Sequence, residues 1–199
     1  MWITKKIYMG RFELLEKAFH RFVPDQAYET FVEKNKKWLE DYSLYMAIKN
    51  SLGGIAWSEW EAPLKTRQEA ALEEKRVELK EQMDFICFQQ YEFAKQWEKL
   101  KQYANEKGIQ IIGDIPIYVA FDSADAWANP ELFQFDENST PLAVAGCPPD
   151  AFAATGQLWG NPLYRWDYHA QTGYVWWISR LRHCFTLYDV VRVDHFRRI

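Results

Sequence analysis

Three cysteines, Cys87, Cys147 and Cys184, are too few and too widely spaced for a disulfide framework or a metal knuckle, so a reducing compartment is expected. Positive charge is not in excess either. Lys and Arg total 24 against 28 Asp and Glu, giving a net charge of -4, which argues against the basic, one-faced footprint of a nucleic-acid-binding protein. Long apolar runs are also missing. No stretch approaches a membrane span, and Met1 to Lys6 lacks the apolar core a secretory signal needs. His20, His169 and His183 show no metal-ligand spacing and read as surface or packing residues, so no metal is expected. These absences predict a soluble, cytoplasmic protein whose partner is neutral or weakly polar, neither nucleic acid nor membrane.

What is present is a globular composition, 48% hydrophobic and 26% charged, enough for one sizeable core. Aromatic residues reach 17%, ten of them Trp. Such rings fill cores and also stack on the flat apolar faces of sugars, and composition does not separate the two uses.

Leu14, Leu15, Ala18, Phe19 and Phe22 recur at helical spacing up to Pro24, and Tyr28, Phe31, Val32, Trp38 and Leu39 do so next. A further helical stretch from Trp38 to Ile48 ends at the turn signal Gly53-Gly54. From Thr66 to Lys107 the stripe Ile86, Phe93, Trp97, Leu100 and Ala104 predicts one long helix or two joined ones packing on a core. Its Glu/Lys-rich part from Glu69 to Glu81 reads as a solvated face. Gly108 supplies a helix stop, and Ile109 to Ile112 leads through Gly113 to Asp114, a buried strand ending in a carboxylate. The stretch from about 121 to 167 reads as irregular, too long for a simple connector and too aromatic for disorder. Tyr174, Trp177, Ile178, Leu181, Cys184, Phe185 and Tyr188 then trace a helix, and Asp189 to Val193 a second apolar strand running into Asp194. The expected division is a mainly helical part, 1–107, and a part carrying the strands, 108–199.

Strand, loop, helix and strand in this order make a βαβ unit with parallel strands buried on both faces. In a (β/α)₈ barrel the active site lies at the carboxyl ends of the strands, where Asp114 and Asp194 would both stand. A parallel sheet of two strands would leave both edges unpaired, so the expected fold class is α/β, part of a larger barrel. From spacing alone either aspartate can equally be the N-cap of a following helix, Arg192 a surface ion-pair partner, and Trp159 loop packing.

Longer motifs carry more. Gly113-Asp114-Ile115-Pro116-Ile117-Tyr118-Val119-Ala120, Asp122 to Asp125, Trp127 to Glu131, Pro148-Pro149-Asp150, Thr155 to Tyr164 and Arg192-Val193-Asp194-His195-Phe196-Arg197 follow one another in the order they have in glycoside hydrolase family 77, the amylomaltases. The chain resembles that family over most of its length. The resemblance implies a partial (β/α)₈ TIM barrel with helical insertions, the two strands resembling the third and fourth of the barrel. It implies a 4-alpha-glucanotransferase moving α-1,4-glucan segments between maltooligosaccharides by a retaining double displacement, with no cofactor.

By the same resemblance Asp194 matches the nucleophile, Arg192 the cation that keeps it ionised and oriented, and Asp114 a supporting carboxylate. Phe152, Gln157 and Trp159 match the loop covering the acceptor side, with Ala151 where the family usually has an aromatic residue. His195 belongs to the motif without a proton-transfer role. The family's acid/base glutamate and third carboxylate match nothing in this chain, and the 199 residues alone are expected to be inactive. The alternatives are an α-glucan hydrolase of the same clan and a non-catalytic glucan-binding fragment.

Overall fold

The computed structural model describes residues 2–149, 151 and 153–194. In chain order its elements are α1 (Trp2–Phe19), α2 (Gln26–Ser51), α3 (Ala62–Lys65), α4 (Glu69–Glu78), α5 (Lys80–Glu106), β1 (Ile112–Ile115), α6 (Ala124–Ala128), β2 (Val144–Cys147), β3 (Gln157–Pro162), α7 (Trp166–Gln171), α8 (Val175–Leu187) and β4 (Val190–Val193). Short 3-10 turns lie at Trp57–Glu59 and Pro130–Leu132. Two compact units result: Met1–Gly54 with Gln68–Gln96, and Ile55–Arg67 with Trp97–Ile199.

In the first unit α2 is a single helix where the sequence predicts two, because nothing between Tyr28 and Ile48 interrupts it. Its start is chemical. The Asp25 carboxylate accepts from the Tyr28 backbone N–H at 2.8 Å, satisfying one of the donors that a helix N-terminus leaves open. The segment from Glu69 to Glu106 is two joined helices, α4 and α5, meeting at Leu79. Phe22, Tyr28, Phe31, Phe88 and Tyr91 form a ring cluster with centroids 4.9 to 6.1 Å apart. Of the stripe predicted along α5, Ile86 is buried but Phe93 and Leu100 are exposed. Positions seven apart drift by about 20° per heptad around a straight helix, so one stripe does not stay on one buried face.

The second unit begins earlier than the sequence predicts, taking in residues 55–67 and the last turns of α5. Indoles explain it. Trp57 donates through Nε1 to the Phe121 carbonyl at 2.7 Å, Trp127 donates to Leu64 O at 2.9 Å, and Trp60 meets Trp127 edge-on at 5.5 Å. All three indoles are buried.

β1 and β4 pair in parallel, with Ile112 opposite Val190 and Asp114 opposite Arg192. The strand is displaced from its predicted place: it starts at Ile112, and Asp114 lies inside it. It is also not buried on both faces. Gly113 and Ile115 point inward while Ile112 and Asp114 are exposed, and β4 carries no buried residue. Among the described residues the sheet has two strands, which leaves its edges unpaired as anticipated, while the exposure of one face departs from the expectation. The stretch predicted to be irregular contains α6 and an antiparallel hairpin of β2 and β3, whose register is broken between Val144 and Gly146. Gly146 in β2 and Gln157, Gly160 and Asn161 in β3 hide it from a period-2 pattern.

The β1–β4 register is locked by residues outside the ladder. Asp189 accepts from the Ile111 N–H and from Asn105 Nδ2, both at 2.8 Å, with Lys101 Nζ at 3.5 Å. Trp97 Nε1 donates to Leu187 O at 2.7 Å and Lys101 Nζ to Tyr188 O at 3.1 Å, capping carbonyls at the end of α8. The Tyr188 ring then lies flat against Gly113, where a Cβ would overlap it. Gly113→Ala should therefore lower unfolding stability by about 1–3 kcal/mol, measured by urea denaturation, and Gly113→Ala combined with Tyr188→Ala should recover part of the loss. An unchanged midpoint in the single variant would refute this packing.

Candidate functional site

The register decides which side chains meet. Asp114 and Arg192 are partners across the parallel pair, and Asp194 follows Arg192 by two, so alternation puts all three on one face. Arg192 reaches Asp114 with both arms of its fork: Nε donates to Oδ1 at 2.6 Å and Nη2 to Oδ2. The same Nη2 stands 3.8 Å from Asp194 Oδ2, an ion-pair distance. One guanidinium thus lies between two carboxylates. The sequence pairs Arg192 with Asp194, whereas the tighter, bidentate contact goes to Asp114. A planar guanidinium matches a carboxylate two bonds at a time, and the parallel register presents Asp114 directly opposite.

Electrostatics follow the geometry. The Arg192 hydrogen bonds hold the Asp114 carboxyl below the usual carboxylate range, and Asp114 in turn holds the Arg192 guanidinium above its ordinary value. The patch is open: the side chains of Asp114, Arg192 and Asp194 are 54%, 62% and 62% exposed. At the other end of β4, Asp189 is also held low, first by the Ile111 N–H and then by Asn105.

Trp159 and Gln157, two apart on β3, come together through an indole Nε1 to Gln157 Oε1 hydrogen bond of 2.9 Å. The Trp159 ring is 6.2 Å from that of Tyr118, which stacks at 5.8 Å on buried Tyr164. Tyr118 comes four residues after Asp114, so the chain leaving β1 links the charged trio to this aromatic group. Sequence reasoning did not single out Tyr118, although it stands in the first of the family motifs. Its signal is its place between the apolar residues Ile117 and Val119, which are buried while Tyr118 is half-buried. Phe152 and His195 lie outside the described residues. Among the described residues no group of three or more His, Cys, Asp or Glu is placed to hold a metal ion, Cys87, Cys147 and Cys184 are free thiols, and no helix is long and apolar enough to cross a membrane.

Comparison with known proteins gives consistent matches. A sequence model of glycoside hydrolase family 77, described as 4-alpha-glucanotransferase, matches residues 4–199. The chain is 48% identical over 194 residues to a 4-alpha-glucanotransferase of Clostridium butyricum, covering 96% of this chain and 40% of that protein. It is 51% identical over 196 residues to one from Streptococcus pneumoniae, covering 96% and 39%. The structure superposes on amylomaltase from Streptococcus agalactiae in complex with acarbose with a TM-score of 0.90 at 44% identity, over 96% of this chain and 39% of that one. The chain therefore spans about two fifths of the length of the relatives it matches.

The sign of the Asp114 shift fixes a pH dependence. Its folded-state pKa is depressed, so the stabilisation from the Arg192 pair is complete above the unfolded value of about 3.9 and is lost as pH falls through the folded one. A carboxyl-carbon NMR titration should place the Asp114 midpoint below that of an ordinary aspartate and return it toward about 3.9 in Arg192→Gln. Equal midpoints in the two proteins would mean that the fork does not form in solution.

Proposed function

The chain belongs to glycoside hydrolase family 77, the 4-alpha-glucanotransferases, and from that membership we propose that its charged trio is the nucleophile half of a retaining glucan-transfer site. The activity is proposed for the polypeptide that joins these residues to the sequence its relatives have outside the matched span. The 199 residues alone are proposed to be inactive. In this reading β1 and β4 are neighbouring strands of a partial (β/α)₈ barrel, the segment 121–167 covers the substrate, and the substrates are maltooligosaccharides or α-1,4-glucans. The amylomaltase relative whose structure holds acarbose supports a sugar-like ligand. A cytoplasmic location is proposed alongside three free thiols.

The observation that carries the reading is the guanidinium of Arg192 between Asp114 and Asp194 on adjacent parallel strands. A carboxylate that attacks an anomeric carbon has to be ionised and aimed, and a cation that never titrates serves both needs. Asp194 attacks C1, the glycosidic C1–O bond breaks, and the leaving oxygen takes a proton from a general acid. A hydroxyl of an acceptor sugar then attacks C1, returns a proton to the same group and frees Asp194. Asp114 is unsuited to that proton transfer. A general acid has a raised pKa, whereas Arg192 holds Asp114 low. Asp114 is left to fix the Arg192 fork, and the acid must come from sequence not matched here.

Trp159 and Tyr118 offer rings for stacking on a glucose face, and Gln157, whose Oε1 is taken by Trp159, retains its amide NH2 to donate to a sugar hydroxyl. Phe152 and His195 complete the proposed substrate contacts by their motif positions. Covering the site excludes water and so favours transfer over hydrolysis.

Incubation of the full-length protein with maltotriose tests this. Glucose should appear together with longer oligosaccharides, and Asp194→Asn should reduce the rate by at least about 10⁴-fold. Products no longer than maltotriose would make the protein a hydrolase, and an unaffected rate in Asp194→Asn would remove Asp194 from the chemistry.

A further inference from the structure

The chain leaving β1 after Asp114 is fastened at three backbone carbonyls by side chains from later elements. Arg180 of α8 donates from Nη2 to the Pro116 carbonyl at 2.5 Å. The Tyr164 hydroxyl donates to Ile117 O at 2.9 Å, and Asn161 of β3 donates through Nδ2 to Val119 O at 2.8 Å. Arg180 also joins two of these ties, since its Nη1 meets the Tyr164 hydroxyl at 3.4 Å while its guanidinium lies over the rings of Trp176 and Trp177 at 5.3 and 5.1 Å. Tyr164 is buried, and burial pushes its hydroxyl well above the ordinary tyrosine value, so it stays a donor.

These bonds lie past the end of the β1–β4 ladder, where the backbone has no strand partner to direct it. They bear on both halves of the site. Two residues before Pro116 is Asp114, gripped by Arg192, and two residues after it is Tyr118, placed between Tyr164 and Trp159. An arginine suits the task because its planar fork serves two acceptors at once while stacked on indoles, which a lysine ammonium does not reproduce.

We propose that Arg180 is a positioning residue of the site, acting through Pro116 and Tyr164 to fix the direction in which β1 delivers Asp114 to the Arg192 fork and Tyr118 to Trp159. The catalytic consequence rests on the glucan-transfer reading above. The mechanical consequence does not. In an enzyme whose chemistry needs a carboxylate placed to within a fraction of an ångström, loosening this segment lowers the rate of the bound complex more than its affinity.

The test uses full-length protein with Arg180→Gln and Arg180→Lys, followed by hydrogen exchange and by steady-state transfer on maltotriose. In Arg180→Gln the amides of residues 115 and 117–119 should exchange about tenfold faster or more, while those of Trp97–Glu106 stay as in the parent. At the same time kcat should fall about tenfold with KM within about twofold, and Arg180→Lys should restore part of kcat. Unchanged protection and unchanged kcat overturn the proposal. So does a loss of rate matched by faster exchange throughout α5, which would mark a general loss of folded protein. If the parent transfers no glucosyl units yet Arg180→Gln still loosens residues 115–119, the transfer reading falls and the fastening of this segment by Arg180 is upheld.

Discussion

The parallel register of β1 and β4 is the constraint on which the site depends, because it alone brings residues 78 positions apart in sequence, Asp114 and Arg192, face to face. Shifting either strand by one residue would turn every side chain to the opposite face. The ion pair itself cannot be what holds this register. Its partners are more than half exposed, and exposed pairs are screened and contribute little to stability. The ladder is short as well, four residues on each side. What fixes it are the buried or shielded contacts around its start: the Asp189 carboxylate on the Ile111 N–H, the Tyr188 ring on Gly113, and the α8 carbonyls capped by Trp97 and Lys101. The salt bridge is the consequence of the fold and serves geometry, not folding energy.

Two aspartates flank the apolar run Val190–Val193, and they illustrate why partners, not positions, assign roles. Asp189 precedes the run and accepts hydrogen bonds from a backbone N–H and a side-chain amide, so its lone pairs are committed to structure. Asp194 follows it at the carboxyl end, 3.8 Å from a guanidinium that is itself committed to a second carboxylate. A carboxylate bound by the backbone is a strap. One that ends the strand beside a shared cation stands where the proposed nucleophile is needed.

Much of this was legible in the sequence, and the exceptions have physical causes. Helical periodicity gave α2 in two pieces, α4 with α5, and α8, and the motif Arg192-Val193-Asp194 put two of the trio at the end of one strand. The two-strand sheet also followed from the scarcity of strand signals, whereas its exposed face did not. The unit boundary did not, because indole-to-carbonyl hydrogen bonds such as Trp57 to Phe121 join segments 64 residues apart and leave no local trace. The β2–β3 hairpin escaped because a Cβ at Gly146 would come within 2.5 Å of the Gln157 carbonyl oxygen, so a side chain would not fit and the apolar alternation is broken. The choice of Asp114 over Asp194 as the main partner of Arg192 was hidden for a similar reason: sequence neighbours are visible and register partners are not.

The sharing of Arg192 has a further chemical implication for how two acids can lie in one patch. Two carboxylates in one patch without a cation push each other toward protonation, and one of them then titrates in the working range. Here the arginine sits against both, and the one it grips with two hydrogen bonds, Asp114, is held ionised. Such a carboxylate has no proton to give, and with one hydrogen bond from the fork on each oxygen it is placed as an anchor. The anchor in turn immobilises the guanidinium. Because the fork is held on Asp114, the charge at Nη2 faces Asp194 from a constant position, and in the proposed transfer reaction such a fixed charge would act without reorganising. In the proposed reaction Asp114 therefore acts through Arg192 and not as a reactant.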